Sequence, residues 1–147
     1  MINLVELMNL INRSGIELSN NSKFHFAQVS NDFALKEPLR AFSQNRFNEW
    51  QEMQTRRNFH IGSEIVSLIQ KMRGGDEWLF AGVYAVDDCE ELNPGEREQT
   101  WYPQGVPRKY YKYSLRKLDG LEELVGNIVQ FNKTFRQSYP FIRTIMS

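Results

Sequence analysis

The stretch Trp78-Leu-Phe-Ala-Gly-Val-Tyr-Ala-Val86 is an apolar run with one glycine at its centre. Its aromatic and β-branched residues predict a strand. A glycine inside a strand marks a bulge or the close approach of another group, so Gly82 predicts an irregularity in this strand. The turn residues Arg73-Gly-Gly-Asp76 come before it, and the apolar run Glu64–Ile69 comes before them. We therefore expect the two runs to form an antiparallel hairpin.

Helical patterns dominate the first third of the chain. An amphipathic helix over residues 2–13 is predicted by four apolar residues at helical spacing, Leu4, Leu7, Met8 and Ile11. Residues 33–54 carry two further helical patterns, one around Leu39 and one with Phe47, Trp50 and Met53. Pro38 fits the first of these only in a first turn. Additional strands are predicted at 23–29, 109–118 and 126–131, with a short turn or helix at 119–125 and a closing strand or tail at 139–146.

The order of these elements predicts the fold class. Residues 87–107 are acidic and interrupted by prolines and glycines, which predicts a long loop. Helices come first and strands after, so we expect an α+β fold with a small, mostly antiparallel β-barrel and amino-terminal helices packed against it. At 147 residues the chain fits one domain over 1–147, with a helical part at 1–58 and a barrel part at 59–147.

Cysteine content and hydropathy bear on the compartment. The single cysteine, Cys89, excludes an internal disulfide and is typical of a reducing cytoplasm. The longest apolar run, Trp78–Val86, is far shorter than the roughly 20 residues of a membrane helix. The amino terminus lacks the basic region of a signal peptide. We therefore expect a cytoplasmic protein with no membrane partner.

Charge is balanced overall but separated along the chain. Residues 74–107 hold eight acidic residues and one basic residue, whereas residues 108–147 hold eight basic residues and three acidic ones. Separated charges can steer a polyanion to one face of a neutral protein. The alternative is that the acidic segment neutralises the basic strands beside it.

Residues with catalytic potential form no recognisable constellation. His25, His60 and Cys89 have no metal-ligand spacing. The thiol of Cys89 is flanked by carboxylates, which disfavour its reactive thiolate form. Gly74-Gly75 lacks the lysine of a phosphate-binding loop. We therefore predict that the chain is not an enzyme and has no metal or other cofactor.

Basic and aromatic residues alternate in the last third, in Arg108–Tyr113 and Phe131–Tyr139. Aromatic rings stack bases at ~1–3 kcal/mol each, and basic side chains pair with phosphates. The predicted nucleic-acid-binding residues are Arg56, Arg57, Arg108, Lys109, Lys133, Arg136 and Gln137. The predicted base-stacking residues are Trp50, Trp101, Tyr111 and Tyr139. The alternatives are barrel tyrosines with hydroxyls in water, a lid over the core for Trp101, and a solvated helix end for Arg56 and Arg57.

Spaced apolar, aromatic and glycine positions over about residues 1–137 resemble the amino-terminal domain of GIY-YIG-type nuclease family proteins. The resemblance rests on Phe47…Trp50-Gln51…Gln54…Phe59, Glu64–Ile69, Leu79–Tyr84, Tyr110–Tyr113 and Leu121…Leu124–Val129. It implies a PUA-like barrel that targets DNA for a nuclease domain, a kind of fold that includes readers of modified bases.

Two departures from that family limit what the resemblance implies. Gly82-Val-Tyr84 is not followed by Tyr-Ile-Gly, so the nuclease core is missing and cleavage is not implied. The segment Lys133–Arg136 lacks the tryptophan that the family tends to carry there.

We therefore expect a non-catalytic DNA-targeting domain that reads a modified or flipped base and is associated with restriction-type nucleases in defence. A nuclease domain or a partner protein is the expected partner besides DNA. The alternative is a protein-interaction or regulatory module that uses the acidic loop 87–100.

Overall fold

The computed structural model describes residues 1–27, 32–54, 57–72, 74–92 and 109–132. The helices in these ranges are α1 (Leu4–Arg13) and α2 (Asp32–Ser43). The strands are β1 (Ile2–Asn3), β2 (Lys23–Ala27), β3 (Glu49–Gln54), β4 (Glu64–Gln70), β5 (Glu77–Leu92), β6 (Lys109–Lys117) and β7 (Ile128–Gln130). Neither of these helices has the length and apolar character that crossing a bilayer requires.

The seven strands form one mixed sheet around β5, which is 16 residues long. The first part of β5 lies between β7 and β4, and its second part pairs with β6, which in turn pairs with β3. All four of these pairings are antiparallel, while β1 joins β7 and β2 joins β4 in parallel. The predicted α+β class with a mostly antiparallel sheet is confirmed for the described residues.

The sheet is curled, because side chains from its two ends meet. β2 pairs with β4, and β3 pairs with β6, so the two strands lie at opposite ends of the path β2-β4-β5-β6-β3. The ring of His25 on β2 nevertheless lies 4.3 Å from the ring of Trp50 on β3, centroid to centroid. We call the face on which they meet the inner face and the opposite one the outer face.

The predicted irregularity at Gly82 is a β-bulge between β4 and β5. Ser67 is opposite Gly82 whereas Leu68 is opposite Phe80, so Ala81 is an extra residue on β5. Gly82 has φ of +129°, a conformation that residues with a Cβ rarely adopt. The predicted hairpin is confirmed, and the bulge bends its longer strand.

Apolar clusters pack on both faces of the sheet. On the outer face, Leu7 and Ile11 of α1 pack with Phe26 and Trp78 in a cluster of buried residues. On the inner face, Ile65, Tyr84 and Tyr113 belong to a second buried cluster, against which Leu39 and Phe42 of α2 pack. Both helices therefore contribute to burial of the sheet, one for each cluster.

The predicted helix around Trp50 is wrong, because residues 49–54 form β3 and pair with β6. The spacing of Phe47, Trp50 and Met53 suits a helix, yet the ladder with β6 sets the observed conformation. Pro38 also lies inside α2 and not in its first turn. The remaining predicted elements up to residue 131 are observed, with β2 described as far as Ala27, and residues 28–29 and 139–146 lie outside the described ranges.

The predicted loop 87–107 is wrong for its first six residues. Residues 87–92 continue β5 and pair with β6, as in the pairs Glu90 with Lys112 and Glu91 with Tyr111. Opposite charges on neighbouring strands favour this pairing, which the acidic composition alone did not indicate. Residues 93–108 lie outside the described ranges.

Candidate functional site

A polar cluster lies on the inner face, where β3, β6 and the segment 57–59 meet. Alternation along β3 places Trp50 and Glu52 on the inner face. In the ladder with β6, Trp50 is opposite Tyr113 and Glu52 is opposite Tyr111. We call Trp50, Glu52, Asn58 and Tyr113 the inner-face cluster.

Glu52 is the centre of the inner-face cluster. Its side chain is buried, with 9% of the residue exposed. One carboxylate oxygen accepts a hydrogen bond from Nδ2 of Asn58 at 3.0 Å, and the other accepts one from Nε1 of Trp50 at 3.3 Å. Burial raises the pKa of Glu52, and the hydrogen bonds from Trp50, Asn58 and Tyr113 offset only part of that effect. The carboxyl group is therefore protonated more readily than an exposed glutamate.

The hydroxyl of Tyr113 holds the segment 57–59 against β6. It accepts hydrogen bonds from the backbone N–H groups of Asn58 at 3.0 Å and Phe59 at 3.4 Å. Burial, followed by the nearby Glu52, raises the pKa of Tyr113, so the phenol stays protonated. Lys23 of β2 donates from Nζ to the carbonyl oxygen of Asn58 at 2.8 Å. These contacts fix the position of the Asn58 amide beside Glu52.

The ring of His25 packs against the ring of Trp50. It is fully buried, and its Nδ1 lies at hydrogen-bonding distance, 2.8 Å, from Oγ of Ser67. Its ring meets Trp50 edge to face, and it meets Phe59 in the same way at 5.6 Å. Burial lowers the pKa of His25 to about 3, so the imidazole is neutral at physiological pH. Trp50 itself stays partly exposed.

Arg57 lies at the solvent-facing edge of the inner-face cluster. Its guanidinium is 3.8 Å from a carboxylate oxygen of Glu91 on β5, and the two side chains are 39% and 43% exposed. Cys89, two residues before Glu91, is partly buried. Burial raises the pKa of its thiol, although Arg57 opposes the change. The thiol is therefore poorly suited to nucleophilic chemistry.

Acidic residues of β3 and β5 neutralise the cations of β6 on the outer face. Nζ of Lys112 lies 3.4 Å from a carboxylate oxygen of Glu49, and Arg116 makes two hydrogen bonds to the carboxylate of Asp87, at 3.0 and 3.2 Å. In these strands acidic side chains therefore neutralise neighbouring basic ones, which is the alternative interpretation of the charge pattern.

The predicted phosphate-contacting residues are described only in part. The structure describes the side chain of Arg57. Of Lys109 it describes only the position, at the start of β6. The other predicted nucleic-acid-binding residues lie outside the described residues, namely Arg56, Arg108, Lys133, Arg136 and Gln137.

The predicted stacking residues have different outcomes. Trp50 is partly exposed, and its Nε1 donates a hydrogen bond to Glu52. Tyr111 is only 5% exposed, and this burial counts against its predicted role, because a base stacks on an open ring face. Trp101 and Tyr139 lie outside the described residues.

Sequence reasoning missed three members of the inner-face cluster, namely Glu52, Asn58 and Tyr113. Glu52 was hidden inside a predicted helix, and Glu49-Trp-Gln-Glu-Met-Gln54 shows no strict alternation of apolar and polar residues that would indicate a strand. The cluster forms because β3 pairs with β6, which follows it by more than 50 residues in sequence.

A cavity of about 300 Å³ lies elsewhere, beside the turn between β4 and β5. Its lining residues include Lys71, Met72, Asp76 and Glu77. The described residues of this lining include no aromatic ring, so this part of the cavity differs from a base-binding site, where a base stacks on an aromatic face. Within the described ranges, no three histidine, cysteine or acidic side chains come together as metal ligands would.

Comparison of this chain with protein-family models, curated proteins and solved structures finds no match.

Proposed function

We propose that this chain is a non-catalytic DNA-recognition domain of the PUA-like barrel kind, which holds a modified or flipped base against Trp50. The observation that carries the proposal is the partly exposed residue Trp50 beside the buried carboxyl of Glu52. A base needs an aromatic face to stack on and polar groups that pair with its edge, and this cluster offers both. The side-chain contact between β2 and β3 supports the barrel, because it brings the ends of the sheet together.

The edge of a base would pair with Glu52 and Asn58. A carboxylate has roughly four acceptor positions, and a protonated carboxyl group also donates one hydrogen bond. The raised pKa of Glu52 brings the protonated form closer to neutral pH than in an exposed glutamate. The contact to Glu52 from Nε1 of Trp50 is longer than that from Nδ2 of Asn58, 3.3 Å against 3.0 Å. A donor group of the base would replace that contact.

Phosphate contacts would come from the edge of the same cluster. Arg57 is adjacent in sequence to Asn58, so a backbone phosphate beside the bound base would lie within reach of its guanidinium. The other proposed phosphate contacts are Arg56, Arg108, Lys109, Lys133 and Arg136. Because acids neutralise Lys112 and Arg116 of β6, this binding would depend on a few arginines and lysines and not on a broad basic surface.

The test is fluorescence anisotropy with short labelled duplexes, plain or carrying modified cytosines, at several salt concentrations. We expect the protein to bind, with affinity that falls as salt rises. Trp50→Ala should weaken binding about 5- to 160-fold, since stacking on one ring contributes ~1–3 kcal/mol. Glu52→Gln should change the preference among bases, because it removes the carboxyl group while keeping the shape.

Phe42→Ala is the matched control for Trp50→Ala. Phe42 is another partly buried ring that packs on the inner-face core, but it lies near Lys117, at the opposite end of β6 from Tyr111. The Phe42→Ala variant should bind DNA with the affinity of the parent. Folding of all variants is checked by circular dichroism. Equal loss in the two variants, or no binding by the parent protein, would rule out the proposed site.

A further inference from the structure

Two arginines of this protein are held by acids of the same strand, β5. Arg57 pairs with Glu91 at the edge of the inner-face cluster, at 3.8 Å. Arg116 pairs with Asp87, and its side chain points to the outer face, because it alternates with the buried Leu115. The two arginine–carboxylate pairs therefore lie on opposite faces of β5.

We infer that Glu91 is an internal competitor for the phosphate that Arg57 contacts, an inference that rests on the proposed function. A guanidinium binds carboxylate and phosphate through the same planar set of N–H donors. While Glu91 is within 4 Å of Arg57, an incoming phosphate must displace it or share the donors. Binding at this edge thus exchanges one anion for another, and Glu91 lowers the affinity for DNA.

The geometry of the pair favours such an exchange. The separation of 3.8 Å is longer than a charge-assisted hydrogen bond, whereas Arg116 and Asp87 make a two-pronged contact at 3.0 and 3.2 Å. Both Arg57 and Glu91 are exposed by about two-fifths, so water screens their attraction. A loose and solvated pair is displaced at little cost, which makes Glu91 a modulator of affinity and not a barrier to binding.

The experiment compares Glu91→Gln with Asp87→Asn, each of which removes one negative charge from β5. We expect Glu91→Gln to tighten binding of a labelled modified-cytosine duplex about two- to fivefold, as expected for release of an exposed ion pair. The plot of log affinity against log salt should also steepen, by up to about 0.9. Asp87→Asn should change affinity by less than about 1.5-fold, because it acts only through screened long-range charge.

A double-mutant cycle with Arg57→Gln shows whether Glu91 acts through Arg57. On the Arg57→Gln background, Glu91→Gln should no longer tighten binding. Suppose that the parent binds DNA and that the affinity of Glu91→Gln equals that of the parent or of Asp87→Asn. The competitor role of Glu91 is then wrong, while the proposed function stands. Persistence of the gain without Arg57 would overturn the inference in the same way. If neither the parent nor Glu91→Gln binds DNA, both proposals fail.

Discussion

Replacement of the buried His25 by asparagine should reduce the loss of stability that this protein suffers in acid. Burial lowers the pKa of His25 to about 3 in the folded protein, against an ordinary value of 6.5. The unfolded chain therefore takes up this proton at a higher pH than the folded protein does. Stability from the neutral imidazole is complete above pH 6.5 and is lost as pH falls towards 3.

The size of the effect follows from the interval between the two pKa values. Each pH unit within it contributes about 1.4 kcal/mol, so a change from about pH 7.5 to about pH 4.5 should remove roughly 2–3 kcal/mol. Glu52 acts in the opposite direction, because its raised pKa lets the folded state take up a proton first as pH falls. The difference between parent and variant isolates the contribution of His25 from that of Glu52.

The assay is urea unfolding at both pH values, followed by circular dichroism. The amide of asparagine can replace Nδ1 of His25 as a partner of Ser67, while the lost ring volume lowers stability at every pH. His60→Asn is the matched control, since His60 is exposed and this variant should keep the full pH dependence of the parent.

The reasoning is refuted if His25→Asn loses as much free energy of unfolding between the two pH values as the parent does. Should that variant fail to fold, an NMR titration of the parent decides the matter. The imidazole signals of His25 should then show no titration midpoint above about pH 5, and a midpoint near the ordinary histidine value would contradict the burial argument.

Two further predictions concern the sheet and the inner-face cluster. Gly82→Ala should lower the free energy of unfolding by about 1–3 kcal/mol, because φ of +129° strains any residue with a Cβ. A urea midpoint equal to that of the parent would contradict this strain. Tyr113→Phe should cost about 1–3 kcal/mol, since it leaves the backbone N–H groups of Asn58 and Phe59 without their acceptor. Hydrogen exchange at those two amides should accelerate, and unchanged exchange would show that the phenol does not hold the segment.

Local pattern was sufficient for the elements whose apolar residues repeat regularly. Helix α1 follows from four apolar residues at helical spacing, all of which are buried. The hairpin of β4 and β5 follows from two apolar runs around a glycine turn, and the bulge follows from Gly82. In each case the signal and the structure it predicts lie within a few residues of each other.

Local pattern failed where distant partners decide the conformation. Residues 49–54 have helical spacing but pair with β6, which follows them by more than 50 residues. Residues 87–92 have the composition of a loop, yet their acids lie beside the bases of β6 and continue β5. In both segments, backbone pairing with another strand and contact between opposite charges outweigh a weak local preference.

The proposed binding residues divide in the same way. The sequence contains the aromatic and charged residues that suggest nucleic-acid recognition, and Trp50 and Arg57 are among those that it nominates. Which side chains become buried depends on the tertiary structure, where Tyr111 is enclosed and Glu52 is held by Trp50 and Asn58.

The reason is physical. Helical spacing and glycine conformation depend on neighbours along the chain, whereas desolvation of a carboxyl group and pairing of charges depend on whatever lies beside them in space. The contact of His25 with Trp50 therefore depends on the curl of the sheet, and the pair of Arg57 with Glu91 likewise joins residues more than 20 positions apart.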